Sequence, residues 1–459
     1  MRKISLFLSL VATLLMAPIG QADNLMAIYE RALRSDPTLR EAEATRAAVL
    51  ETRPQARGFL LPQINADATY TDDTSEGTRD TTIGGVTTPS QFDNESDGWR
   101  WTIQLRQTLF RWDQWVNLKK ASKQVAQAEA DFQAASQDLM VRVATAYFNV
   151  LAAQDTLESE QAAKEAIGRQ LEQANKRFEV GLIAITDVQE AQAAYDQAVA
   201  AEISAKRSLA TSRQSVREIV GEYSGDLAAP AEEIPLVSPD PEDEDTWVET
   251  ALRQNFFVLS SELGAQIAKD DYRVAKTGHY PTVDLVASRT DTDITGIGMA
   301  SNPLTGVSTT SPIGTDSEQD SIQVQIQVPI FSGGTVSAQR RESMYRFRAA
   351  QERFEQASRQ TEREARDAYL GVVSEISRVK ALKQARESAR TALQATEAGF
   401  DVGTRTTVDV LEQRRQLFEA DVNYARSRYD YIINVLLLKQ AAGSLMVDDL
   451  VEVNGWLEQ

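Results

Sequence analysis

The chain has 459 residues, with 67 Asp and Glu against 48 Lys and Arg, a formal charge of −19, one histidine and no cysteine. Without cysteine there is no disulfide framework, thiolate metal site or cysteine nucleophile, and a lone histidine builds no His-rich zinc site. The acidic balance repels phosphate backbones and no basic block interrupts it, which argues against nucleic acid as a partner.

Arg2 and Lys3 precede an apolar run from Ile4 to Ala17, which gives way to Gly20-Gln21-Ala22 before Asp23-Asn24. This pattern predicts a secretory signal over residues 1–22, cut before Asp23. A membrane anchor is the alternative, but the run is shorter than the roughly 20 residues a span needs. No cysteine follows it, so lipid attachment is excluded. Farther on, the longest apolar stretch, Tyr431 to Leu438, is short and broken by Asn434. Any membrane role must therefore use strands.

The rest of the chain is written twice. Ala251-Leu252-Arg253 stands 219 positions after Ala32-Leu33-Arg34, and Pro281 stands 219 after Pro62. The offset then settles at 222, pairing Tyr147 with Tyr369, Phe178-Glu179-Val180-Gly181 with Phe400-Asp401-Val402-Gly403, Asp187 with Asp409. A register held this long predicts one structural unit made twice, over residues 23–224 and 246–459. The acidic, Pro-rich segment 225–245 reads as a surface linker between them.

After an N-terminal helix expected from Leu25 to about Arg57, each repeat carries two short strand signals. Trp99, Trp101, Ile103 and Leu105 alternate with polar residues, as do Ile322, Val324, Ile326 and Val328; Ile64 to Tyr70 and Val283 to Ala287 alternate less cleanly, Val286 breaking the second pattern. The Thr-, Ser-, Gly- and Asp-rich segments Asp72 to Gly98 and Asp291 to Asp320 between them read as long loops. A sheet over a soluble core would alternate in the same way. Two features favour a membrane barrel: Arg100 and Arg106 share the polar side with Gln and Thr, and Trp99, Trp101, Trp112 and Trp115 bracket one strand. Four strands close no barrel, since one chain needs at least about eight. The edges must be paired by other copies.

From Trp112 to Phe178 there is no proline and one glycine, which predicts roughly 100 Å of helix. Apolar and small residues recur there at Leu139, Val143, Ala146, Val150, Ala153 and Leu157, and in the second repeat at Ala365, Ala368, Val372, Val379 and Leu382. Spacings alternating between three and four make a coiled-coil seam. Gly181 and Gly403 should stop the two long helices, and return helices then begin near Asp187 and Asp409 and run to Gly221 and Gly443. Each repeat thus ends in a helical hairpin with its tip at Val180 to Thr186 or Val402 to Thr407. A soluble periplasmic coiled-coil adaptor or scaffold would account for the helices as well, but not for the tryptophan-flanked strands.

The runs 177–189, RFEVGLIAITDVQ, and 397–411, EAGFDVGTRTTVDVL, together with 144–151, ATAYFNVL, resemble the outer membrane factor family of TolC-like exit ducts. The likeness covers essentially the whole chain from Asn24. It implies a mostly α fold with a membrane β-barrel: a homotrimer whose twelve strands close one barrel in the outer membrane of a Gram-negative bacterium and whose helices extend it as a periplasmic tunnel. It further implies a periplasmic adaptor, an inner-membrane RND or ABC transporter and outer-membrane lipid as partners, drugs or polypeptides as cargo, no cofactor and no bond chemistry.

The resemblance also implies a gate at the hairpin tips. Arg405 matches an arginine tied to a Thr-Asp pair, here Thr186 and Asp187, while the family's tyrosine before it is replaced by Phe400, which lacks the hydroxyl. Asp409 and Glu412 match constriction carboxylates that would draw cations and, crowded together in a trimer, would have raised pKa values and bind multivalent cations. Val180, Gly181, Leu182, Val402, Gly403 and Thr404 match adaptor-docking tips. Each has a purely structural alternative: Asp187 and Asp409 sit where an acid complements a helix dipole, Arg405 can pair with Asp409 at i,i+4, and the tip glycines are helix caps. His279 is assigned no role.

Overall fold

The computed structural model describes residues 23–457 apart from 84, 223, 224, 232 and 303–305. The signal expected over residues 1–22 lies outside the described residues. The chain sorts into two compact units, one of residues up to 45, 129–260 and 355–459, the other of residues 46–128 and 261–354, with every boundary inside a helix.

The first unit is helical. Its long elements are most of α4 (Trp112–Glu179), α5 (Ile185–Val220), most of α8 (Thr335–Asp401) and α9 (Thr407–Ala441). The predicted seam is the buried one: Leu139, Val143, Ala146, Val150 and Ala153 are buried on α4, and Ala365, Val372 and Val379 on α8. Around Tyr147, Phe148, Ile432, Leu436 and Leu450 these helices form the main apolar core. Phe148 lies between Tyr147, edge-on at 5.3 Å, and Tyr429, stacked at 5.8 Å. A short helix that the pattern did not announce, α10 (Val447–Asn454), adds Leu450 and Val453.

The single N-terminal helix expected to Arg57 is instead three: α1 (Leu25–Ser35), α2 (Pro37–Leu50) and α3 (Thr52–Gly58). The first break has a local cause. Proline at 37 disfavours helical backbone at Asp36, whose ψ is 118°, and the freed Asp36 carboxylate accepts from Leu39 N–H at 2.8 Å as cap of the next helix. The second repeat breaks at the matching Asn255, between α6 (Glu244–Gln254) and α7 (Phe256–Lys276), where Asn255 Oδ1 accepts from Phe257 N–H at 2.9 Å.

The segment read as a surface linker is anchored from within. Leu227 and Ala228 are core residues, Tyr147 Oη donates to the Ala228 carbonyl at 2.7 Å, and Val237 N–H donates to Tyr431 Oη at 2.8 Å. Composition concealed this, because only a few apolar residues among many acids do the anchoring.

The second unit holds one antiparallel sheet in the order β1 (Gln63–Ile83), β2 (Val86–Phe110), β3 (Thr282–Asn302), with β4 (Val307–Pro312) and β5 (Thr315–Gln327) pairing successive stretches of β3. β4 and β5 thus form one fourth strand interrupted at Ile313-Gly314. The segments expected as loops are strands: Asp72↔Asp97 and Asp291↔Glu318 pair within continuous ladders. Thr-rich runs suit a pleated surface, and the signal overlooked was the Gly-Gly dipeptide in the sequence between Ile83 and Val86, a composition that favours tight hairpins; Ile83 pairs with Val86. At about 3.3 Å per residue the 21 residues of β1 extend roughly 70 Å, far beyond the roughly 25 Å apolar band of a membrane barrel.

Much of the apolar side of the sheet is left bare: Ile64, Trp99 and Ile103, and Ile322, Val324, Ile326 and Val328, are all exposed, as are Trp112 and Trp115, while Trp101, Leu105, Val283 and Leu285 are half-buried. Val286, which breaks the alternation, is buried. Among the described residues no helix is long and apolar enough to cross a membrane.

The two repeats meet at β2 and β3, where Gly98 pairs with Ile294. A Cβ on Gly98 would lie 2.1 Å from the Asp293 carbonyl oxygen, so this position admits only glycine. Gly98→Val should cost at least the roughly 1–3 kcal/mol of forced overpacking, read as a lower urea midpoint for the strand signal in circular dichroism; an unchanged midpoint would mean that β3 bends away freely.

Candidate functional site at the hairpin tips

Both long helices of the first unit stop by the same device. At the first tip Gly181 has φ +75°, its N–H donates to Phe178 O at 2.8 Å, and Leu182 N–H donates to Arg177 O at 2.9 Å. At the second, Gly403 has φ +81°, its N–H donates to Phe400 O at 3.0 Å, and Thr404 N–H donates to Gly399 O at 2.8 Å. These pairings form a Schellman cap, which a residue with a Cβ enters only under strain. Each cap leaves apolar side chains bare: Val180, Leu182 and Val402 are 69, 72 and 75% exposed.

The return helices begin differently. On α9 Thr406 and Asp409 make a complete capping box: Asp409 N–H donates to Thr406 Oγ1 at 3.2 Å, and Thr406 N–H donates to Asp409 Oδ2 at 2.8 Å. On α5 the cap is Ala184, which offers no side-chain oxygen, and Thr186 and Asp187 occupy the first turn.

The hydrogen bonds from Thr406, backbone and then side chain, hold the Asp409 carboxyl below its usual range, with the Arg405 charge adding to this. Those from Arg415 and Gln416 do the same for Glu412. Within one chain each carboxylate thus has donors of its own, whereas the crowding expected to raise some of these values belongs to rings of three copies.

Arg405 is brought neither to Thr186 and Asp187 nor into an ion pair with Asp409 within this chain; its stem lies over Gly399. Phe400 has found another contact. The guanidinium carbon of Arg177, on the first hairpin, lies 4.6 Å from the Phe400 ring centre on the second, a cation–π contact where the family's tyrosine would offer a hydroxyl.

A second tie between the hairpins escaped the sequence. Arg414 on α9 donates to Glu397 Oε1 on α8 at 2.7 Å and, from Nη1, to the Ala166 carbonyl on α4 at 3.2 Å. The only signal was the adjacent pair Arg414-Arg415 in an otherwise acidic stretch. Among the described residues no group of His, Asp and Glu is arranged to hold a metal.

The model of the outer membrane efflux protein family matches twice, over residues 28–222 and 247–444. The chain belongs to the outer membrane efflux protein family. It is 38% identical over 437 residues to the outer membrane protein TolC of Vibrio cholerae serotype O1, covering 95% of this chain and 94% of that one. It is 37% identical over 442 residues to TolC of Escherichia coli K12, covering 96% and 86%, and 28% identical over 455 residues to the alkaline protease secretion protein AprF of Pseudomonas aeruginosa, covering 98% and 90%. Among solved structures, the outer membrane protein VceC of Vibrio cholerae superposes with a TM-score of 0.71 at 20% identity, over 91% of this chain and 96% of that one. As a member of this family the chain is an outer-membrane efflux channel and not an enzyme, and the doubled family match accounts for the doubled sequence. The soluble-scaffold alternative finds no support.

Proposed function

We propose that three copies of this chain close one barrel in the outer membrane and one helical tunnel in the periplasm, which receives drugs, polypeptides or both from a periplasmic adaptor coupled to an inner-membrane RND or ABC transporter. The observation that carries this reading is the sheet with two unpaired edges, β1 and β4/β5, and a bare apolar side: it is one segment of a barrel and needs further copies to close. Relatives named for efflux and for protease secretion support a conduit for both cargo classes.

In this reading the exposed tip residues Val180, Gly181, Leu182, Val402, Gly403 and Thr404 dock the adaptor. Thr186, Asp187 and Arg405 tie neighbouring copies, since Arg405 makes no ion pair among the described residues of its own chain. Asp409 and Glu412 ring the constriction. The preference of Asp409 for ionisation suits that role, because a carboxylate kept charged at neutral pH attracts cations continuously.

The test is single-channel recording in planar lipid bilayers with hexamminecobalt(III) on the tip side. Wild-type pores should be cation-selective and blocked by the trivalent ion, and Asp409→Ala/Glu412→Ala should lose the block and several-fold in cation preference. Pores with wild-type block in that double variant would move the constriction elsewhere.

A further inference from the structure

The face of α9 that carries Asp409 and Glu412 continues, at spacings of three and four, to Arg415 and Glu419. Arg415 is held between its two acidic neighbours. Its Nη2 donates to Glu412 Oε1 at 2.6 Å, its Nε to Glu412 Oε2 at 3.1 Å, and its Nη1 to Glu419 Oε1 at 2.5 Å. Both oxygens of Glu412 thus face one guanidinium in the bidentate fork that arginine favours, and Gln416 adds a further donor at 2.9 Å. Asp409 has no such partner: its carboxylate is taken up by the Thr406 hydroxyl and N–H, which carry no charge.

We propose that Arg415 sets the charge selectivity of the constriction by neutralising Glu412, leaving Asp409 as the ring that acts on passing cations. This rests on the reading of Asp409 and Glu412 as constriction carboxylates. A passing ion senses the net charge within about 8 Å, the screening length at physiological salt. A guanidinium bonded to the second carboxylate cancels most of its pull, and in a trimer the cancellation occurs three times. Arginine keeps its charge at every physiological pH, so the setting is fixed. The channel therefore passes cations in preference to anions yet binds a multivalent cation more loosely than its carboxylate count suggests.

Arg415 and both its partners are well exposed on a continuous helix, at 57, 43 and 56% of side-chain area. Exposed ion pairs of this kind add little to stability, so the residue can be replaced without unfolding α9.

The experiment is the same bilayer recording on the full chain with Arg415→Gln, which keeps a hydrogen-bonding side chain without the charge, Arg415→Lys, which keeps the charge, and Glu412→Gln/Arg415→Gln. In Arg415→Gln the half-blocking concentration of hexamminecobalt(III) should fall on the order of tenfold and the cation-to-anion permeability ratio should rise. Arg415→Lys should stay near the wild type, and the double variant should return towards it because removing one acid with the arginine restores the wild-type net charge of the Glu412–Arg415–Glu419 group. A wild-type half-blocking concentration in Arg415→Gln overturns this proposal alone, provided that Asp409→Ala/Glu412→Ala still loses the block. If that last variant also behaves as wild type, the constriction reading falls and this inference with it.

Discussion

Arg177→Ala/Arg414→Ala should open the periplasmic tip and raise single-channel conductance several-fold. In each chain these residues tie the first hairpin to the second. Arg177 covers the Phe400 ring, and Arg414 bridges Glu397 and the Ala166 carbonyl. A cation–π contact at an exposed site is worth about 0.5–1 kcal/mol, and a hydrogen bond to a charged group about 1.5–3 kcal/mol. If splaying of the hairpins breaks both, the pair biases the tip towards the closed arrangement by about 2–4 kcal/mol, on the order of thirtyfold or more in the ratio of the two states. Removing both ties shifts the population by that factor, whereas Phe400→Tyr, which keeps the ring under Arg177, should leave it closed. The check is the unitary current in planar bilayers. Wild-type current in the double variant would place the closing force wholly between copies.

The second large effect is expected at Asp36, far along the chain from the tips. Asp36 is 2% exposed and receives the fork of Arg142 at 3.1 and 2.9 Å as well as Leu39 N–H. Breaking a buried pair costs about 3–5 kcal/mol. Arg142 here keeps partial access to water and a second partner in Asp138 at 2.6 Å, so Asp36→Ala should cost about 3 kcal/mol, of which about 1 kcal/mol is the lost helix cap. Asp36→Asn keeps the cap and should lose only the ionic part, about 2 kcal/mol. Both are read as lowered urea midpoints of the helical signal in detergent.

Acid should act at the same place. Burial works against the charge on Asp36, but the hydrogen bonds from Arg142 and Leu39 outweigh it and hold the carboxyl below its ordinary value. A depressed folded-state pKa contributes stability that is fully present above the unfolded-state value, about 3.9, and is lost as pH falls through the folded one. Wild-type protein should therefore lose stability below about pH 4 more steeply than Asp36→Asn does. Parallel acid limbs in the two proteins would show that Asp36 does not drive the loss.

Much of this architecture is written locally. The doubled register is read from the sequence by self-comparison, and the stops at Gly181 and Gly403, the Thr406–Asp409 box and the polar-apolar alternation of the strands each depend on residues within a few positions of one another, where backbone preference and side-chain period act directly. The same local logic is present at Asp36-Pro37 and in the Gly-Gly dipeptide after Ile83, where a single long helix and a long loop were nevertheless expected. Longer strands were hidden because Thr, Ser and Asp in a ladder that faces solvent on both sides show no apolar period.

Tertiary structure decided which side chains meet. Arg177 finds Phe400, Arg414 finds the Ala166 carbonyl, Arg142 finds Asp36, and the acidic linker is drawn in by Tyr147 and Tyr431. These partners are separated by between 81 and 248 positions where hydrogen bonds join them. No helical or strand period spans such distances, and an arginine in an acidic helix reads the same whether it faces water or a neighbouring helix. Only the packing of the two hairpins, set by the buried seam from Leu139 to Ala153 and its counterpart on α8, fixes which of those arginines lies against a carbonyl, a ring or a carboxylate.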